Sequence, residues 1–162
     1  MAQLKYGFST PLGEAGGIID LAPYVIDAFT NEEDTGVLNF GMGVVSGTTP
    51  GKQIKLPTSE STAATFEGIT TNRRTTEYDL EGNIHIRKNA TIGVMRYGRI
   101  FGKLAPEVTP AYGNDVYLII TGENAGCFTN THSDSNDVKV RGRFLGAGDA
   151  NRGIAPIELF NT

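Results

Sequence analysis

From Gly36 onward, short apolar or alternating segments are separated by glycine, proline and asparagine at near-regular intervals. Glycine supplies 21 of the 162 residues, and tryptophan is absent. Glycine weakens helix interiors but adopts the positive φ angles of tight turns. Regularly spaced short strands are typical of sandwiches and barrels. The pattern therefore predicts an all-β fold, an antiparallel β-sandwich or barrel, with strands in VLNFGMGVV, KQIKL, TFEGIT, TTEYDL, NIHIRK, TIGVMRY, RIFGKL, DVYLIIT, GCFTN, VKVRGRFL and IAPIELF.

The beginning of the chain has a different character. Residues 1–17 alternate single apolar residues with Gly, Pro and Ser, a composition that buries little surface by itself. We predict an extended N-terminal arm over residues 1–17 and a single β-rich domain over residues 18–162, since the length suits one core. The segment that follows the arm, GIIDLAPYVIDAFTNEED, fits a short amphipathic turn after Pro23 or a strand pair split by that proline.

Composition limits the possible partners and compartments. The net charge is −4, with 14 basic and 18 acidic residues, whereas an electrostatic nucleic-acid binder usually has a basic excess. A single cysteine, Cys127, cannot form an intrachain disulfide, and no apolar run has the length of a membrane span. The N-terminal sequence lacks the apolar core of a signal peptide, so we expect the protein to be made and kept in a cytoplasm.

Two turns and one strand are predicted in more detail. TTEYDLEGNIHIRKN is typical of a hairpin with a Gly82-Asn83 turn, which would place Glu77 opposite Lys88 and Tyr78 opposite Arg87. In VKVRGRFL, alternation predicts a half-buried strand whose cationic outer edge resists unwanted strand pairing. Its buried face would hold Val138, Val140, Gly142 and Phe144, and its outer face Lys139, Arg141 and Arg143.

Glycine-rich motifs in the chain do not match the nucleotide-binding patterns. GTTPGKQ has the wrong spacing for a phosphate-binding loop and is better read as a turn at Pro50-Gly51. GAGDANRG lacks the third glycine of the dinucleotide fingerprint and fits a loop between the last two strands. SDSNDVK breaks the calcium-loop pattern and is predicted to be a solvated turn.

The histidines, the cysteine and the serines are not spaced as a catalytic or metal-binding motif in the sequence. His85 and His132 are far apart and have no second ligand at metal spacing. Cys127 has no basic neighbour in sequence that would lower its pKa, so we expect a small core residue. No serine lies in a nucleophile elbow. We therefore predict a non-enzymatic protein without cofactor or metal.

An ordered series of motifs is more informative than any one of them. GVLNFGMGVVSGTTPGKQIKLPT is followed by TFEGITTNRRTTEYDLEG, GVMRYGRIFGKL, GNDVYLI, GRFL and GIAPIELF. Together, from Ile18 to Phe160, they resemble the tailed-phage structural cement proteins, which are small capsid decoration proteins. The resemblance implies a non-enzymatic β-protein of the virion that is made in the host bacterial cytoplasm, binds the outer surface of the assembled head and braces major capsid subunits.

The resemblance also implies partners. They are the major capsid protein and other copies of the chain, with a homotrimer favoured over a dimer, and neither nucleic acid nor membrane is expected. An extended arm could add backbone hydrogen bonds to a neighbour's strand edge, with Leu4, Tyr6, Phe8 and Leu12 as capsid anchors. Arg73 and Arg74, before the hairpin, and Glu77 within it, are candidates for contacts with a neighbouring subunit.

Two other functions remain open from the residues. A nucleic-acid-binding β-barrel would use a basic strand face, although RYGRIFGKL places a charge where an RNA-recognition strand stacks an aromatic ring. A carbohydrate-binding or receptor-facing domain would use Tyr97, Tyr112 and Tyr117 as platforms. The basic face of the first alternative would hold Arg96, Arg99, Lys103, Arg141 and Arg143.

Overall fold

The computed structural model describes residues 13–72, 77–78, 80–82 and 84–161, and this part of the chain contains strands and loops without a helix. The all-β prediction is therefore confirmed. The strands are β1 (Val25–Asn31), β2 (Gly43–Ser46), β3 (Gln53–Lys55), β4 (Phe66–Thr70), β5 (Glu77–Tyr78), β6 (Ile84–His85), β7 (Thr91–Lys103), β8 (Asp115–Ile119), β9 (Phe128–Thr129), β10 (Asp137–Phe144) and β11 (Ile154–Leu159).

Nine strands form one sheet in the order β1-β3-β2-β4-β7-β11-β10-β8-β9. The first half closes on itself, because β1 also pairs antiparallel with β7 and completes a five-stranded barrel. The second half curls back towards the end of β7, where Leu104 forms a bridge to Phe128 and the Ala105 N–H donates to the Phe128 carbonyl at 3.0 Å. Strand β7 is thus shared by a closed barrel and a curved sheet.

Strand β7 was expected as two strands that meet at Gly98, and the structure shows one strand of 13 residues. Its first part, Thr91–Tyr97, pairs with β1, and its second part, Gly98–Lys103, pairs with β11. Gly98 has a φ of 124°, and a Cβ there would lie 2.6 Å from the Tyr24 Cβ. Glycine therefore lets the strand change partners without interruption, because no other residue readily adopts this conformation.

A second special position lies where β2 and β4 pair. Val44 pairs with Gly68 and Val45 with Phe66, so Glu67 is an extra residue in a β-bulge. Gly68 has a φ of 151°, and a Cβ there would overlap the Met95 carbonyl oxygen on β7. Bulges bend a strand and increase its twist, which is how a sheet this narrow closes.

The buried side chains form two clusters on opposite sides of the barrel wall. Val94 points into the barrel, and its neighbour Met95 points outward into the space under the curved sheet, as alternation along a strand requires. The barrel interior contains Phe29, Leu38, Phe40, Val44, Ile54, Ile86, Ile92 and Val94. The second cluster contains Val45, Ile69, Met95, Ile100, Leu104, Val116, Leu118, Ile120, Phe128, Val140, Phe144, Ala155, Ile157 and Leu159.

The region after Pro23, which the sequence left open, is the single strand β1. In β10, the predicted alternation is confirmed, since Val140 and Phe144 are buried while Lys139 and Arg141 are exposed. The expectation that β10 has an outer edge is wrong, because the strand lies between β11 and β8. The turn at Pro50-Gly51 and the loop between the last two strands, β10 and β11, lie where they were predicted.

The predicted register of the hairpin is also wrong. Glu77 pairs with His85 and Tyr78 with Ile84, so five residues connect the strands instead of two. The next residue, Ile86, is buried in the barrel core, and its carbonyl accepts a hydrogen bond from the Gly36 N–H at 3.0 Å. The chain therefore leaves the hairpin after His85, since burial of Ile86 stabilises more than two further exposed pairs would.

Residues 13–19, the described end of the predicted arm and the two residues after it, lie along β7. The Gly16 N–H donates to the Phe101 carbonyl at 2.8 Å, and the Phe101 N–H donates to the Gly17 carbonyl at 3.0 Å. The Ile19 N–H then reaches the Arg99 carbonyl at 3.1 Å. These bonds fix residues 16–19 against the second part of β7.

The loop before β10 is closed by a buried carboxylate. Asp137 is 6% exposed and accepts hydrogen bonds from the Ser133 N–H at 2.6 Å and from His132 Nδ1 at 2.7 Å. The His132 ring stacks on Tyr117, with 5.0 Å between ring centres. SDSNDVK was predicted to be a solvated turn. The Asp137 carboxylate in it is instead buried, and its burial is tolerated because it accepts hydrogen bonds from donors in the same turn.

Replacement of Gly68 tests the bulge. We expect Gly68→Ala to lower the free energy of unfolding by about 3 kcal/mol, from backbone strain and overlap with Met95. Gly51 is the matched control, with a φ of 77° and no atom within 4 Å of an added Cβ. Gly51→Ala should cost about 1 kcal/mol, the strain alone. Equal losses in chemical denaturation would show that close packing at the bulge is unimportant.

The pH dependence of stability tests the His132 contact. The hydrogen bond to Asp137, with a smaller contribution from Asp134, raises the pKa of His132 above its ordinary 6.5. A raised pKa adds stability that is complete below 6.5 and is lost as pH rises through the raised value. We expect the free energy of unfolding to fall across that interval, and His132→Asn to remove the decrease. The same slope in the variant would contradict this assignment.

Candidate interaction surface

A glutamate on the middle strand of three joins two arginines on its neighbours. Glu158 on β11 lies directly opposite Arg99 on β7 and Arg143 on β10. Arg99 Nε donates to Glu158 Oε1 at 2.9 Å, and Arg143 Nε donates to Oε2 at 2.7 Å. Arg99 Nη1 also reaches Asp20 Oδ2 at 2.8 Å. Cross-strand register therefore assembles a four-residue ion-pair row on one face of the sheet.

The charges in this row stabilise one another. Partial burial is the largest single influence on Glu158 and opposes its ionisation, but the hydrogen bonds from Arg99 and Arg143 together hold its pKa below the ordinary value. The bonds to Glu158 and Asp20 raise the pKa of Arg99. The carboxylate side chain is 15% exposed, while both arginines are more than a third exposed. Their guanidinium groups are therefore held in place and still accessible.

Exposed rings bracket the second arginine. The Arg143 guanidinium carbon lies 5.5 Å from the centre of the Tyr112 ring and 5.9 Å from that of Phe160. Tyr112 is 67% exposed and Phe160 45% exposed. Both distances fall within the range of cation–π attraction. Tyr112 comes from the loop before β8 and Phe160 directly follows β11, so the tertiary structure brings the two rings together.

Apolar side chains in the loop before β1 extend this surface. Leu21 is 96% exposed and Tyr24 45% exposed, both in the loop that carries Asp20. Two shallow depressions, of about 270 and 310 Å³, share Tyr97, Leu159 and Phe160 in their walls. We call this surface the aromatic–arginine face, and it comprises Asp20, Leu21, Tyr24, Tyr97, Arg99, Tyr112, Arg143, Glu158 and Phe160.

The five basic residues proposed for a nucleic-acid groove do not form a free basic face. Arg99 and Arg143 pair with Glu158, and Arg96 lies 3.4 Å from Asp27 and 3.5 Å from Glu67. Arg141 lines the larger of the two depressions, and Lys103 lines a separate groove of about 730 Å³. Each arginine in a carboxylate pair is neutralised locally, which weakens the attraction to phosphates that such a groove needs.

The three tyrosines proposed as carbohydrate platforms have different surroundings. Tyr97 forms part of both depressions, and Tyr112 lies beside Arg143. Tyr117 stacks on His132 instead. The structure therefore does not present the three rings as one platform.

Reactive groups are not gathered into a site in the part of the chain that the structure describes. No three His, Cys, Asp or Glu residues there are placed to hold a metal ion. Cys127 is 5% exposed, and burial raises the pKa of its thiol, although Lys103 opposes the shift. No helix among the described residues is long and apolar enough to cross a membrane.

Most of the contact residues predicted from sequence lie outside the described residues. These are Leu4, Tyr6, Phe8 and Leu12 of the arm, with Arg73 and Arg74 before the hairpin. Glu77 begins β5, where its backbone pairs with His85. Glu158 was not predicted as a contact residue, although a glutamate between the apolar residues of IELF indicates a charge on the outer face of a strand.

Comparison with known proteins gives two matches. The family model described as Structural cement protein (E217 gp24/Pam3 gp6) matches residues 2–160. A chain of the solved structure "The capsid of Myoviridae Phage XM1" has 18% sequence identity and a TM-score of 0.73, covering 95% of this chain and 94% of that one. No curated protein matches the chain. The structural likeness shows a shared fold, and the family match confirms the resemblance inferred from the ordered motifs: the chain belongs to the phage structural cement protein family.

Proposed function

We propose that this protein decorates the outer surface of the assembled phage head and braces contacts between major capsid subunits, without catalysing a reaction. The observation that carries the proposal is the family match over residues 2–160, which covers both the predicted arm and the β-domain. The shared fold with a chain of a phage capsid supports it. The protein acts in the virion after synthesis in the host bacterial cytoplasm.

The aromatic–arginine face supplies a contact surface of the right chemistry. Binding energy at protein interfaces is concentrated in Tyr, Trp and Arg side chains. Arg99 and Arg143 are already held by Glu158, so they lose little conformational freedom when a partner binds. Leu21, at 96% exposure, offers apolar area that a partner would cover. We propose that this face binds the capsid.

The predicted arm supplies a second contact. Leu4, Tyr6, Phe8 and Leu12 would bind capsid as the anchors of an extended segment, whose ordering costs entropy that only binding offsets. Arg73, Arg74 and Glu77 would contact a neighbouring subunit. A copy with two contacts dissociates slowly even when each contact is weak. When one contact breaks, the other holds the protein in place until the first re-forms.

Nucleic acid is not a partner under this proposal. The net charge is −4, and the carboxylates beside Arg96, Arg99 and Arg143 weaken a basic face. An outer-surface position also keeps the protein away from packaged DNA. Other copies of the chain are expected partners, as a homotrimer or a dimer.

Co-sedimentation with undecorated, expanded phage heads tests the function. We expect saturable binding at a fixed ratio to the major capsid protein and a higher disruption temperature for decorated heads. Bound ligands stabilise the state that they bind by mass action, and here that state is the intact shell. Retention on DNA that falls with salt, without binding to heads, would contradict the proposal and favour the nucleic-acid alternative.

Two sets of variants separate the contacts in the same assay. Deletion of Met1–Leu12 tests the arm, and the double variant Tyr112→Ala, Phe160→Ala tests the aromatic–arginine face. We expect each to weaken head binding at least tenfold, about 1.4 kcal/mol, since truncated interface anchors cost this much or more. Val37→Ala is the control, because Val37 is similarly exposed, at 47%, and lies outside the face. Unchanged head occupancy in either test removes that contact from the proposal.

A further inference from the structure

Strand β1 has one edge that is only partly covered. On one side it pairs with β7 along Val25–Thr30. On the other side β3 pairs with Thr30 and Asn31 alone. Within the described part of the chain, no strand pairs with the second edge from Val25 to Phe29. The barrel is therefore closed at one end of β1 and leaves a short open edge at the other.

The direction of the backbone groups on this edge follows from their neighbours. The Thr30 N–H donates to the Lys52 carbonyl on the β3 side, whereas the Asn31 N–H donates to the Ala90 carbonyl on the β7 side. Successive residues of a strand point their backbone groups to opposite edges. Ile26 and Ala28 have the parity of Thr30, so their N–H and C=O groups point away from β7 at the open edge.

The side chains along this segment are also exposed. Val25 is 46% exposed, Ile26 36% and Tyr24 45%, and Ala28 is exposed as well. An edge with unpaired backbone groups and apolar side chains is a template for another strand unless it is protected. The charge nearest to it, Asp27, pairs with Arg96 at 3.4 Å and so does little to repel a strand.

We propose that this edge binds the same edge of a second copy, with an antiparallel two-fold axis at Ile26. Each Ile26 then pairs with Ile26 of the other copy, and each Ala28 with Tyr24. An isologous contact of this kind needs a self-complementary surface. Three residues per copy, Tyr24, Ile26 and Ala28, would exchange six backbone hydrogen bonds.

The ends of the open edge and its charge select this register. The Ala22 N–H donates to Asp20 Oδ1 at 3.0 Å, and the Thr30 N–H is bonded to the β3 side, so pairing at this edge fits only between these two residues. A two-fold axis at Ala28 would bring Ile26 against Thr30 and is blocked. An axis at Asp27 would place two carboxylates opposite each other, which is unfavourable. The axis at Ile26 places Asp27 opposite Val25 and gathers apolar side chains at the centre.

The contact is separate from the proposed capsid function, because it can be measured on the protein alone. Of the two expected oligomeric states, the homotrimer and the dimer, this contact forms the dimer. Tyr112, Arg143 and Phe160 of the aromatic–arginine face lie outside β1, so the backbone pairing does not involve them. Tyr24 is the residue that both surfaces share.

Cysteine cross-linking tests the register in the full chain. The natural Cys127 is buried and does not compete. We expect Ile26→Cys to form a disulfide-linked dimer on mild oxidation, because paired Cα atoms lie about 5.5 Å apart. Ala28→Cys is the matched control, since two copies of residue 28 would be roughly 14 Å apart in this register. The double variant Tyr24→Cys, Ala28→Cys should cross-link again.

A second variant tests the contact without a disulfide. Ile26→Lys places two like charges at the axis, and we expect sedimentation velocity to show a monomer where the unaltered protein is a dimer. A circular dichroism spectrum like that of the unaltered protein confirms that the variant folds. The proposal is overturned if Ala28→Cys cross-links as readily as Ile26→Cys, or if Ile26→Lys remains dimeric. It is also overturned if the unaltered protein is monomeric, and loss of head binding by Ile26→Lys would then indicate that the edge binds a capsid strand instead.

Discussion

The shared strand β7 is the constraint on which the rest of the structure depends. Its first part closes the barrel against β1 and its second part begins the curved sheet with β11. The two cores lie on opposite sides of the barrel wall. Because side chains alternate along β7, this one strand contributes residues to both cores. Gly98, at the change of partner, permits this because its φ of 124° would strain any other residue.

Charge in this protein is organised by strand register more than by composition. An arginine on each of two neighbouring strands lies opposite Glu158, and the pairs are short. Exposed ion pairs alone contribute little to stability. Here the carboxylate is only 15% exposed and bonded on both sides, so its removal would leave two arginines near each other without their counter-ion. The result is a rigid polar centre around which the exposed rings of Tyr112 and Phe160 are arranged.

Features that depend on a local pattern could be predicted from the sequence. Features that depend on how distant strands pair could not. Alternation and turn residues give the all-β class, the buried face of β10 and the turn at Gly51, because these are set within a few residues. The uninterrupted β7, the short hairpin pairing and the role of Glu158 depend on distant strands, and no local pattern encodes them. The basic residues illustrate the difference: Arg96 and Arg99 look like a cationic stretch in sequence, yet each meets a carboxylate from another element.

The two proposed surfaces would act together on a shell. A two-fold contact through β1 would join two aromatic–arginine faces in one particle, and each face would then find its site at the effective concentration set by the other. Such linkage raises avidity without a new contact, provided that the spacing of the faces matches the spacing of the sites. The open edge is short, because the Ala22 N–H is bonded to Asp20 and the Thr30 N–H to the β3 side. These two contacts limit any added strand to the five residues from Tyr24 to Ala28 and so protect the edge from indiscriminate pairing. Under the proposed function, the avidity of the protein for the head would therefore depend on the regular spacing of its sites on the shell.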